Sequence, residues 1–165
     1  MIQNWLNEII SKDLMCDEYV GKVNDVRSKK QLMDYVLDAK GSEWFQEMQA
    51  KGCGLPYEDI TKSFASYING RYVAEYKNEK GNGYNSVLFC CFSGEKINVN
   101  TTLCSVLGYT GRIVIAKNNF AKIYLDKNCD VQIELQEGSR AIVEYWKGAK
   151  VEVLNMHDKV QLIEN

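Results

Sequence analysis

From Leu103 to Ile163 an aliphatic residue returns at every tenth position: Leu103, Ile113, Ile123, Ile133, Val143, Val153 and Ile163. Two companion columns flank this ladder. Gly111, Ala121, Val131, Ala141 and Val151 stand two residues before it, and Ile115, Leu125, Leu135 and Tyr145 two residues after it. Alternation by two is the side-chain period of a β-strand, so each unit predicts a strand of about five or six residues followed by a turn of about four. Between the columns lie polar residues, Arg112, Lys122, Gln132 and Glu152 on one side and Glu134 and Glu144 on the other. One face therefore turns inward and the other meets water. The turn sequences KNN, KNC, EGS and KGA contain the Asn and Gly that tight reversals need.

Two architectures satisfy this pattern, a rolled antiparallel sheet and a β-solenoid. In a solenoid, equivalent positions lie over one another, which rewards one aliphatic type per column and favours that reading. A ten-residue step is short for a full coil, so each step is expected to form one side of a two-sided coil. Such a stack ends in open strand edges that invite pairing with another copy.

The first half has a different period. Ile2, Trp5, Leu6, Ile9 and Ile10 follow helical spacing, Tyr19, Val20, Val23 and Val26 suggest a second helix, and Ser28 with Gln31 forms a capping pattern ahead of Leu32, Tyr35 and Val36. Gly41 and Ser42 are expected to end that helix and begin another bearing Trp44, Phe45 and Met48. Pro56, the only proline, then opens a fifth carrying Ile60, Phe64 and Ile68, stopped by Asn69-Gly70. The rival for this last segment is a hairpin turn at Asn69-Gly70 between SFASYI and RYVAEY. The charged run KNEKGNGYN marks a boundary. The expected fold is therefore α+β, with a helical region of about five helices over 1–80 packed on a β-rich repeat domain over 84–165.

Composition narrows the functional classes. The chain has 165 residues, 25% of them charged and 45% hydrophobic, with a net charge of -2. Residues 1–80 hold 11 basic and 13 acidic groups and the remainder 9 and 9, so neither half is a polycation drawn broadly to nucleic acid or an anionic membrane. The N-terminal sequence MIQNWLNEIISKDL has no basic, apolar export pattern, and no stretch is long enough to span a bilayer, which points to the cytoplasm. There the six cysteines, Cys16, Cys53, Cys90, Cys91, Cys104 and Cys129, read as free thiols, with Cys90 and Cys91 on opposite faces of a strand.

Catalytic groups are few. His157 is the sole histidine and lies in a polar turn. GCG and GNG lack the spacing of a phosphate loop, and no Gly-x-Ser-x-Gly elbow occurs. A structural zinc would have to gather Cys90, Cys104, Cys129 and His157 from distant positions, and no cofactor or metal is expected. Glu134 and Glu144 could be neighbours on an outer face, where ordinary solvated charge is the simpler reading.

The leading expectation is a non-enzymatic interaction or assembly protein, binding itself or another protein through the β-rich domain. Val114, Ile142, Trp146 and Leu154, apolar on the face that alternation turns to solvent, are the candidate subunit contacts. The alternative is a DNA-binding regulator with a helix-turn-helix at about 44–71, contacting nucleic acid through Lys62, Ser66, Tyr67 and Arg71, although Glu58 and Asp59 open its second helix with negative charge. A carbohydrate or small-ligand binder using exposed tyrosines is a third and weaker reading. Compact size and a two-part fold are also compatible with an accessory protein of a mobile element.

Overall fold

The structure, a computed structural model, describes residues 21, 25–28, 31, 34, 37–50, 52, 56–63, 73–76, 85–92 and 95–165. Strands β2 (Ser86–Cys90), β3 (Lys96–Val99), β4 (Leu103–Leu107), β5 (Thr110–Ile115), β6 (Phe120–Leu125), β7 (Asp130–Leu135), β8 (Arg140–Tyr145), β9 (Lys150–Val153) and β10 (Val160–Glu164) wind into a parallel β-solenoid of about four turns. Successive strands alternate between two sheets. With β1 (Val73–Tyr76), the first sheet has the order β1-β2-β4-β6-β8-β10, and the second is β3-β5-β7-β9. All pairs are parallel except β1 with β2, which is antiparallel.

The ten-residue step is half a coil. Asp130 sits beside Thr110 and Lys150 beside Asp130, a full coil of 20 residues, and Phe120 pairs with Arg140 in the same way. Odd and even members of the ladder therefore go to opposite sheets. Ile113 and Ile133 stack below Val153 in the second sheet, while Ile123 and Val143 stack in the first. Their side chains meet across one hydrophobic core, in which Ile123, Ile133 and Val143 are each 0% exposed. Both companion columns join it: Ala121, Val131 and Ala141 on one flank, Ile115, Leu125 and Leu135 on the other.

Only the ends of the ladder depart. Cys104, not Leu103, aligns with Ile123, and Leu162, not Ile163, aligns with Val143. Because strand side chains alternate, a one-residue slip turns Leu103 and Ile163 away from the core. Leu103 packs instead on the outer face with Tyr124 and Trp146.

The corners repeat as faithfully as the strands. Asn118 (φ 57°) and Gly138 (φ 73°) occupy equivalent left-handed positions one coil apart, and a Cβ on Gly138 would come 2.1 Å from Asn118 Oδ1. The Asn119 amide donates to the carbonyls of Val99 (3.3 Å) and Thr101 (3.0 Å), tying its corner to the coil below. Lys117 pairs with Glu137 at 2.6 Å along the outside of the same corner.

The five helices expected over 1–80 are not found among the described residues. The named elements of that span are helix α1 (Ala39–Ala50), the seven-residue helix α2 (Tyr57–Ser63) and strand β1, and Gly21, Gln31, Asp34 and Leu37 are also helical. Gly41 and Ser42 do not break a helix; Ser42 donates its amide to Asp38 O at 2.8 Å and is buried within α1, where helical hydrogen bonding outweighs the local preference of a Gly-Ser pair for a boundary. RYVAEY contributes β1 because its backbone completes the open edge of β2, with Val73 opposite Phe89. Ser28 Oγ does accept the Gln31 amide at 3.2 Å, the local geometry its spacing implies. The helical pattern at 2–10, the pattern residues Tyr19, Val20 and Val23, the segment 64–72 with its Asn69-Gly70 alternative, most of the 77–85 boundary, and Cys16 and Cys53 lie outside the described residues.

Helix α1 lies on the outer face of the first sheet, against β4 and β6, and α2 rests near β2. Phe45, Met48 and Ile60 are buried there, and Ser86 Oγ donates to Leu37 O at 2.7 Å. Among the described residues the helices pack mainly on the first sheet. Among the described residues no helix is long and apolar enough to cross a membrane.

Candidate functional site

Two places on the solenoid concentrate features beyond core packing. The first is its C-terminal end. There β9 and β10 are the outermost strands of their sheets, each paired on one side only among the described residues. The Lys150 amide donates to Cys129 O (2.9 Å) and the Leu154 amide to Ile133 O (2.9 Å), so alternate residues of β9 face β7. By that alternation the N–H and C=O groups of Val151 and Val153 face the open edge. The core runs out at the same place. Val151, Val153 and Val160 are only partly buried, and Leu162 is 44% exposed. The Asn155 side chain closes the final corner by exchanging two hydrogen bonds with the backbone of Leu135, at 2.8 and 2.9 Å. This end is held in shape, and among the described residues no strand pairs beyond β9 or β10.

The charges beside it belong to the outer face of the second sheet. A shallow groove of 660 Å³ there is lined by Lys96, Arg112, Asp130, Gln132, Lys150 and Glu152. Lys150 pairs with Asp130 inside it (3.3 Å), Arg112 pairs with Glu134 at its border (3.1 Å), and Gln132 donates a hydrogen bond to Glu152 (2.7 Å). These are exposed, alternating charges with no net attraction for a strongly charged ligand.

The second place is a buried cluster at the corner between β6 and β7. Asp126 is buried, and its carboxyl accepts the Gly108 amide (2.9 Å), the Tyr57 hydroxyl, the Asn128 side-chain amide (3.0 Å) and the Cys129 thiol (3.2 Å). Asn128 also donates to the Tyr57 hydroxyl at 2.8 Å. Burial, and then the hydrogen bond to Asp126, push the Tyr57 phenol well above its ordinary value. Burial and the charge of Asp126 push the Cys129 thiol up as well. Four donors fill the accepting positions of Asp126, leaving none for a substrate proton, and neither neighbour is an activated nucleophile. The cluster fastens α2 to the solenoid. A 270 Å³ hollow beside it is lined by Gln49, Pro56, Tyr57, Lys127 and Asn128.

The residues singled out from sequence are dispersed. Val114 is 5% exposed and Trp146 9% exposed, so both are covered within the chain; Trp146 packs on Tyr124, Leu103 and Ala50 under α1. Ile142 is half-buried, and Leu154, 37% exposed, is the one that reaches solvent, close to the open end of β9. Lys62 is exposed on α2, whereas Ser66, Tyr67 and Arg71 lie outside the described residues. Glu134 and Glu144 are on different sheets, paired with Arg112 and with Lys122 (2.6 Å) respectively, so they form no carboxylate pair.

Cys90, Cys104 and Cys129 are buried free thiols, and His157 is exposed in a short 3-10 turn (His157–Lys159). Among the described residues no three His, Cys, Asp or Glu side chains are grouped to hold a metal ion. Cys91 follows the end of β2 in a left-handed conformation (φ 50°), outside the strand. Sequence reasoning missed the Tyr57–Asp126 cluster, since its members are 69 residues apart. It also missed that the open end is formed by β9 and β10 together, although the strand-edge hazard was legible. Comparison with protein-family models, with curated protein sequences and with solved structures returns no match to this chain.

Proposed function

We propose that this chain is a non-enzymatic interaction or assembly module that binds itself or another protein through its β-rich domain. The observation that carries the proposal is the C-terminal end of the solenoid, where open backbone groups on β9 coincide with incompletely buried core residues. An unpaired strand edge above an apolar core gains both hydrogen bonds and buried area from a partner. Candidate chemistry elsewhere points away from catalysis, because the most elaborate polar cluster is internally satisfied. The buried thiols suit a reducing, cytoplasmic setting.

The DNA-binding alternative rests on Lys62 and on residues 66, 67 and 71. It has less support, because α2 is fastened through Tyr57 to Asp126 and exposes Glu58 beside Lys62. Size-exclusion chromatography with light scattering, combined with pull-down, tests the leading reading. Concentration-dependent association or a recovered protein partner is expected. A chain that stays monomeric at every concentration and captures nothing overturns it.

A further inference from the structure

Resting on that assembly reading, we propose that the partner at the open end is a second copy of this chain, joined about a twofold axis through Val151 so that β9 pairs antiparallel with β9 of its mate. The open edge reads Ala149-Lys150-Val151-Glu152-Val153. Antiparallel pairing about Val151 sets Lys150 opposite Glu152 of the mate, Glu152 opposite its Lys150, and Ala149 opposite its Val153. Opposite charges meet twice, and apolar residues meet only apolar residues. The faces agree too, since Ala149, Val151 and Val153 all pack on the core side.

The backbone agrees with the same axis. Val151 has its N–H and C=O toward the open edge, so Val151 and its symmetry mate exchange both hydrogen bonds. Lys150 and Glu152 then form the non-hydrogen-bonded pairs, in which cross-strand side chains approach most closely. Both are exposed, and their existing partners, Asp130 and Gln132, lie on the β7 side of the strand.

Head-to-tail stacking is the competing arrangement, and two features oppose it. Continuing the second sheet in that manner puts β9 against β3 of the next copy in parallel; aligning their valines then sets Lys150 beside Lys96. In the first sheet, β1 already covers the edge of β2 that the next copy would need. A twofold contact also closes on itself and yields a dimer, whereas head-to-tail stacking continues without limit.

The test uses the full chain and reversal of single charges. Lys150→Glu and Glu152→Lys each place like charges opposite one another at both symmetric positions, and each is expected to weaken dimerisation by about tenfold or more. The double variant K150E/E152K restores opposite pairs and is expected to recover the wild-type dimer. Circular dichroism confirms that each variant is folded. Independently, amide exchange on the wild type is expected to show Val151 and Val153 protected at high concentration and exchanging faster on dilution. Single variants that dimerise as the wild type does, or a double variant that fails to recover, overturn the β9 pairing while leaving assembly through another surface intact. A wild-type chain that never associates overturns the pairing together with the assembly reading, unless pull-down recovers a different protein, in which case only the pairing falls.

Discussion

Tyr57 meets the solenoid at a point where only glycine fits. A Cβ on Gly108 (φ 58°) would lie 2.7 Å from a Tyr57 ring carbon, so the ring can reach Asp126 because residue 108 has no side chain. Tyr57→Phe keeps the ring and removes one donor from the buried carboxyl; a loss of ~1–2 kcal/mol in urea denaturation is expected. An unchanged midpoint would show that the hydroxyl contributes nothing to holding α2. Cys90, Cys104 and Cys129 are raised above the ordinary thiol value of 9.0, in each case first by burial, and Tyr57 is raised above 10.0. Above these ordinary values the unfolded chain has released protons that the native chain still holds. Stability must therefore fall as pH rises, from about pH 9 for the thiols and about pH 10 for the phenol. Thermal melting across alkaline pH checks this, and a melting temperature constant to pH 11 contradicts it. None of this cluster was legible in the sequence, because 69 residues separate Tyr57 from Asp126 and no periodicity links them.

Strands carry a different lesson, since seven ladder residues of similar type do not share one role. Ile133 is fully buried between Ile113 and Val153, so Ile133→Ala should cost ~2–4 kcal/mol. Ile163 pairs with Glu144 on the outer face of the last strand, and Ile163→Ala should cost less than ~1 kcal/mol. Equal losses in parallel denaturation experiments would mean that the terminal register is not as described. The slip at each end arises because β4 to β6 and β8 to β10 advance by 19 residues where the inner coils advance by 20. A one-residue change reverses the face while leaving the residue type plausible. Helices were read less well than strands. Gly41-Ser42 looks like a boundary and 1–80 like a helical region, yet the pair lies inside α1 and Val73–Tyr76 supplies β1. Local preferences of about 1 kcal/mol per residue yield to burial and to an unfilled sheet edge.

Across the whole molecule, each coil contacts mainly the coil before and after it, which makes stability nearly a sum of neighbour terms. Amide exchange at a dilution where the chain is monomeric should therefore be slowest in β5, β6 and β7 and fastest in β9 and β10. Uniform protection through all four turns would contradict that gradient. From Gly111 to Val153 the sequence by itself determined which residues face inward, because alternation by two is a property of every strand regardless of its neighbours; at Leu103 and Ile163 the register of the neighbouring strand reversed that reading. It also determined that the unit repeats every ten residues, and it favoured stacking through the identity of the columns. Only the tertiary structure decided that strands pair with the one 20 residues away and not with the next in sequence. Both arrangements present the same inward face, so hydrophobic pattern cannot separate them fully; the difference lies in which backbone groups meet. The same is true of the open end of β9 and of the Tyr57 attachment, which exist only once distant parts of the chain have been brought together.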